Sequence, residues 1–177
     1  MAPPRMAPEI VLSVNGFNGF IHRNRIEVLN IRQKEWKEMK HKLNINRTHH
    51  GIGLVNHVMY IFGGLNYDFE TGPHYSSETY AFNPITMKWS EKCCMNEKRC
   101  YVSSTELGGQ LYAIGYFNGN ERLKSAEKYD PVANQWTFIP SMAIVRSDAC
   151  CVTFHGKIYV IGGSVSYTHL RAHETSL

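Results

Sequence analysis

One phrase recurs in this sequence and limits what it can fold into. Met59–Gly64 reads MYIFGG, Leu111–Tyr116 reads LYAIGY and Ile158–Gly163 reads IYVIGG. Each copy is tied to an upstream arginine by a fixed spacing. Arg47, Tyr60 and Gly63 stand 13 and then 3 residues apart, as do Arg99, Tyr112, Gly115 and Arg146, Tyr159, Gly162. Near the N-terminus VLSVNGFNG puts Asn15–Gly16 at the position of the doublets Gly63–Gly64 and Gly162–Gly163. All three tryptophans, Trp36, Trp89 and Trp136, follow a doublet, and they lie 53 and 47 residues apart. A period near 50 residues is the mark of an architecture made of stacked units.

Each unit reads as four short strands. Gly108–Gly109, His155–Gly156 and Asn56–His57 sit between apolar runs and predict two-residue hairpin turns. A second turn, PVAN, separates SAEKYD from WTFIP. No sustained 3.6-residue apolar pattern appears, so the expected fold is all-β. Tyr80 and Tyr129 are expected to hold one structural position ahead of Trp89 and Trp136. The tryptophans, on the outermost strand, should bury a large ring against a neighbouring unit.

The glycine doublet, the tyrosine and tryptophan after it, and the arginine before the next unit resemble the kelch repeat. Within it the chain is similar to the BTB-kelch (kelch-like) substrate-adaptor proteins, over about residues 10–163. The resemblance implies a β-propeller of about three and a half four-stranded antiparallel blades that is not closed. The units are 10–39, 47–95, 99–142 and a partial 146–163. Residues 1–9 are expected to be a flexible N-terminus, and 164–177 a disordered or non-native tail. A fourth tryptophan would fall about 20 residues after Gly163, past Leu177. An open arc leaves its end faces unpacked, so the isolated chain is expected to be marginally stable or prone to aggregate.

Two departures from the repeat stand out. At the third doublet, Gly115 is followed by Tyr116, which at positive φ would be strained, so either the geometry differs there or that blade is weaker. The second unit carries five extra residues between Gly64 and Trp89, in and around the loop LNYDFETGPHYSS. Three of the five are expected before Tyr80. Loops of this type, joining second and third strands, are where grafted function sits.

The resemblance implies that partners meet one end of the propeller. That end is built from the loop into each first strand and the loop after each doublet. The first set is Arg47-Thr48-His49, Arg99-Cys100-Tyr101 and Arg146-Ser147-Asp148. The second is Leu65-Asn66-Tyr67, Phe117-Asn118 and Ser164. The candidate contacts are Arg47, His49, Tyr67, Tyr101, Phe117, Asn118, Arg146, Ser147 and Asp148. Arg47, Arg99 and Arg146 recur at one spacing and also suit a structural role. His49, Tyr101 and Asp148 differ between copies and are better placed to confer specificity. Gly16, Gly63, Gly64, Gly115, Gly162, Gly163, Trp36, Trp89, Trp136, Tyr80 and Tyr129 are read as structural.

Other classes find less support. Net charge is +4, but Lys and Arg are scattered, with none of the basic striping that nucleic acid requires. No apolar run suits a signal peptide or a membrane span, and the expected location is the cytoplasm. The five cysteines form no C-x-x-C pattern. VNGFNG lacks the following helix of a nucleotide motif, and no nucleophile elbow or P-loop occurs. His169 and His173 flank Arg171, a poor metal environment. No catalytic residue, metal or cofactor is expected. The resemblance implies a protein–protein interaction module that recruits a protein or peptide substrate to a cullin-3 ubiquitin ligase. Cullin-3 would bind through a BTB region that this sequence lacks. The alternative is a kelch scaffold for actin or other cytoskeletal partners.

Overall fold

The computed structural model describes residues 10–17, 22–39 and 46–164. The expectations for 1–9 and 165–177, and for His169 and His173, lie outside them. The described residues are all-β, with fifteen strands and no helix.

The first sheet is β1 (Ile10–Phe17), β2 (His22–Asn30) and β3 (Glu35–Glu38). The second is β4 (Gly51–Val55), β5 (Val58–Phe62), β8 (Thr79–Asn83) and β9 (Lys88–Lys92). Between β5 and β8 a separate hairpin is inserted, β6 (Leu65–Asp68) paired with β7 (Gly72–Tyr75). The third sheet is β10 (Ser103–Leu107), β11 (Gln110–Phe117), β12 (Arg122–Asp130) and β13 (Gln135–Ile139). The last pair is β14 (Cys150–Phe154) with β15 (Lys157–Ile161). All pairings are antiparallel, and the second sheet, the third sheet and the β14–β15 pair stand side by side as successive blades.

The turns follow from backbone chemistry. Both central residues of Asn56–His57, Gly108–Gly109 and His155–Gly156 have positive φ. That is the geometry that matches the twist of a two-residue hairpin. The outer turns share another device. Asn30, Asn83 and Asp130 each accept two amides with one side-chain oxygen, from residues two and three positions on. Such capping fixes the turn locally.

First strands are stitched between blades by hydroxyls. Ser104 Oγ bridges the amide and carbonyl of Ile52, Ser103 Oγ donates to the Ala149 carbonyl at 2.6 Å, and Thr105 meets Thr153 at 3.0 Å. The main apolar core lies between the second and third sheets. Val55, Tyr60, Phe62, Ala81 and Met95 meet Leu111, Ala113, Tyr129 and Trp136 there. On β14–β15, Thr153 faces β10 while Val152, Phe154, Tyr159 and Ile161 are exposed on the other face.

The register corrects one structural assignment. Trp36, Trp89 and Trp136 pair with Leu29, Phe82 and Tyr129. Phe82, not Tyr80, is therefore the counterpart of Tyr129. Tyr80 pairs with Ile61 and matches Glu127, which pairs with Ala113. All five extra residues of the second unit then fall before its third strand, in the β6–β7 hairpin, and not in a plain loop.

Trp136 packs back onto the preceding sheet, and the repeat does not bury the three tryptophans equally. Trp136 is 3% exposed. Its indole N–H donates to Thr79 Oγ1 at 3.0 Å, and its ring meets Phe62 edge-on at 5.0 Å. Trp36, expected to be buried, is 52% exposed. Among the described residues, no sheet precedes β1–β3 to receive it.

The doublets also differ. Gly63 and Gly115 both have positive φ, at 69° and 62°. A β-carbon on Gly63 would collide with the Arg99 carbonyl and crowd the Met95 methyl; Gly115 stands likewise against Arg146 and Met142. The Met that ends each unit and the Arg that opens the next are thus lids over that unit's glycine. After Gly63 the strand ends. After Gly115 it bulges and runs on through Tyr116, which pairs with Leu123. The local geometry differs, and Tyr116 lies in a strand. β1 carries the same bulge between Val14 and Gly16.

Candidate partner-binding face

The structure brings the two loop sets together. Thr48 pairs with Leu65, Cys100 with Phe117 and Ser147 with Ser164, each an isolated antiparallel bridge. In all three units, amides and carbonyls are exchanged both ways at 2.7–3.1 Å. Each bridge ties the lead-in to a first strand to the segment after the doublet, so both sets form one rim.

His49, Tyr101 and Asp148 follow the bridges, and the backbone links them across blades. The Tyr101 amide donates to the His49 carbonyl at 2.9 Å, and the Asp148 amide donates to the Tyr101 carbonyl at 3.3 Å. The His49 and Tyr101 rings lie 4.2 Å apart. All three hold left-handed backbone, with φ of 55°, 55° and 58°. That conformation costs a non-glycine residue about 1–2 kcal/mol and persists where surrounding structure imposes it. His49 and Asp148 are exposed and Tyr101 is half-buried. Partial burial pushes the Tyr101 phenol up, with nearby Cys100 and Asp148 acting in the same direction, so it presents a neutral hydroxyl.

The other candidates divide. Tyr67 is exposed on the hairpin and stacks edge-on with Phe69, whose ring is 82% exposed. Asn118 is half-buried; its side chain caps the amides of Asn120 and Glu121. Phe117 is half-buried and meets the Tyr75 ring at 5.8 Å, locking the hairpin base onto the third sheet. Ser147 is buried, with its hydroxyl held between Arg122 Nε and Asp148, so it positions the rim instead of projecting from it. Arg146 is half-buried and donates to the Gly162 carbonyl at 2.6 Å. Arg47 is buried, paired with Glu78 and set over the Tyr80 ring.

Sequence reasoning missed the buried polar cluster under the rim. Arg99 and Glu127 form an ion pair at 2.8 Å, both fully buried. Arg99 also donates to Glu97 and to the Ser125 carbonyl and hydroxyl, while Glu127 accepts amides from Asn96 and Glu97. The signal was available in the recurring arginine and in SAEKYD. Reading Tyr80 as the counterpart of Tyr129 hid it. His50, beside His49 at the entry to a first strand, has a buried Nδ1 that finds no partner among the described residues. Burial, aided by Arg47 and His49, lowers its imidazole to about 4. Burial pushes the thiols of Cys100 and Cys151 up to about 12 and about 11, so neither is a ready nucleophile.

Comparison with known proteins agrees with this geometry. The KLHDC2/KLHL20/DRC7 Kelch-repeats domain matches residues 14–171. The chain belongs to the kelch-repeat family. Kelch repeat-containing protein kel-10 of Caenorhabditis elegans is 37% identical over 158 residues, covering 83% of this chain and 26% of that protein. A kelch repeat and BTB domain-containing protein of the same organism is 36% identical with the same coverage. The C. elegans spermatocyte protein spe-26 is 30% identical, over 92% of this chain and 29% of that protein. This kelch chain thus spans a little over a quarter of the length of these relatives. The solved structure of YjhT superposes with a TM-score of 0.71 at 16% identity, over 79% of this chain and 52% of that one, and shares the fold.

Proposed function

We propose that this chain is the substrate-recognition part of a BTB-kelch adaptor for a cullin-3 ubiquitin ligase. Kelch repeats are generally a non-enzymatic interaction scaffold, and a similar C. elegans protein is named for both kelch repeats and a BTB domain. The observation that carries the reading is the rim: His49, Tyr101 and Asp148 linked by backbone hydrogen bonds in a strained conformation. A rigid platform that sets an imidazole, a phenol and a carboxylate side by side loses little entropy when a partner binds. The partner is a protein or peptide, and the working compartment is the cytoplasm, where thiols stay reduced. All five cysteines are free.

The test is affinity capture from cytosol with the chain, comparing wild type with a Tyr101→Ala, Asp148→Asn double variant. The expected result is a protein lost with the variant whose cellular level rises when cullin-3 is depleted. Capture of F-actin in its place, unaffected by cullin-3, would move the chain to the cytoskeletal scaffolds.

A further inference from the structure

The inserted hairpin changes the surroundings of one repeat arginine. In the third sheet, Arg99 is sealed, with Glu127 fully buried beneath it. One sheet earlier the carboxylate has moved by two positions: Tyr80 stands where Glu127 does, and Glu78 stands where Ser125 does. Among the described residues, the one carboxylate that meets Arg47 is therefore Glu78, at the rim, its side chain 47% exposed. Beside the pair opens a polar cleft of about 360 Å³ lined by Asn46, Ser76 and the hairpin residues Asn66 and His74. The hairpin wall is fixed: Tyr75 stacks on Phe117, and its ring abuts Gly119.

We propose that this off-axis cleft binds a carboxylate of a peptide partner, with Glu78 an internal stand-in that the ligand displaces. The inference rests on reading the chain as a peptide-binding module and names what one of its sites takes. Arg47 is already desolvated, so its charge acts at short range on an incoming anion. The amides of Asn46 and Asn66 and the hydroxyl of Ser76 add donors around it. Glu78, half in water, is released into solvent at small cost. Glu127 has no such exit, and although the partly exposed Glu97 also meets Arg99, the Arg99 side chain is itself fully sealed, so the third sheet offers no equivalent site.

The carboxylate could be an Asp or Glu side chain or a free chain end, and four alanine-based pentapeptides separate these. Three are acetylated and amidated with central Glu, Gln or Lys; the fourth is all-alanine with a free C-terminus. Each is titrated against the full chain and followed by NMR shifts. The Glu or the free-carboxylate peptide is expected to bind about tenfold more tightly than the Gln peptide, and whichever does names the source. Glu78→Gln should tighten that binding several-fold, because the internal competitor is gone. Asn66→Ala, on the surface of the hairpin, should weaken it. The proposal is overturned if Glu78→Gln weakens binding or leaves it unchanged, if the Lys peptide is preferred, or if no peptide binds. Carboxylate binding that ignores Glu78→Gln and Asn66→Ala but vanishes with Tyr101→Ala would sink the cleft and leave the rim reading standing.

Discussion

Trp36 and Trp136 hold the same place in their sheets, yet one is half in water and the other is sealed. Arg47 and Arg99 repeat the contrast: one meets a carboxylate at the rim, the other a carboxylate at the bottom of the core. In both comparisons the residue is conserved between units and its neighbour is not. Trp136 has Phe62 and Thr79 of the second sheet to pack on. Arg99 has Glu127 rather than Tyr80 below it. The energetic worth of a repeat position is therefore set by the adjoining sheet and by a one- or two-residue placement of its partner.

The largest effects should separate the third sheet from the others. Glu127→Ala leaves Arg99 charged and buried and strips the Asn96 and Glu97 amides of their acceptor, at a cost of about 3–5 kcal/mol. Glu78→Ala, at the rim, should cost about 1 kcal/mol or less. Trp136→Ala opens a core cavity worth about 3–5 kcal/mol, while Trp36→Ala should stay within about 1 kcal/mol. Urea unfolding of the four variants measures both ratios. Equal losses within either pair would break the comparison and mean that the first and second sheets are as tightly enclosed as the third.

Much of this was legible in the sequence because periodicity reports backbone. The strand pairs and the hairpin turns at Asn56–His57 and Gly108–Gly109 follow from spacing and turn chemistry, while the shared rim of His49, Tyr101 and Asp148 comes from the kelch resemblance laid over that spacing. What was not legible depends on register. Tyr80 stands nine residues before Trp89 and Tyr129 seven before Trp136, a two-residue offset masked because each is the tyrosine that precedes a tryptophan, yet it moves a carboxylate from core to rim. The β6–β7 hairpin read as a loop because its strands are four residues each and hold Gly72 and Pro73, which weaken a strand signal. The exposure of Trp36 depends on what stands beside its sheet, which no local pattern encodes.

The next effect in size is a pH dependence confined to the second sheet. His50 is half-buried against Gly64 with its Nδ1 sealed from solvent, and its folded-state value of about 4 is below the ordinary 6.5. The unfolded chain therefore binds a proton that the folded chain refuses between those values. Stability from this group is fully present above pH 6.5 and is lost as pH falls toward 4, by roughly 3 kcal/mol in all. The positive charges of Arg47 and His49 act in the same direction as burial and outweigh a hydrogen bond with the Arg47 backbone that opposes them. Urea midpoints of wild type and His50→Gln should diverge in slope across pH 6.5 to 4.5, with the variant flatter. Parallel curves would mean that His50 is solvated and that this sheet is looser than the third on yet another count.

The smallest effect tests the comparison at a single hydrogen bond. Trp136 donates to Thr79, which lies three residues before Phe82 on the preceding sheet. The matching position one sheet earlier, three before Leu29, is Ile26, which has no acceptor. Trp89 Nε1 is buried and, among the described residues, unpartnered. The same indole should therefore be worth more in the third sheet than in the second. Trp136→Phe is expected to cost about 1 kcal/mol more than Trp89→Phe. A double-mutant cycle of Trp136→Phe with Thr79→Val should return a coupling of similar size. A coupling near zero would mean that the bond adds nothing beyond packing. The graded burial of the three tryptophans would then have to account for their unequal worth by contact area alone.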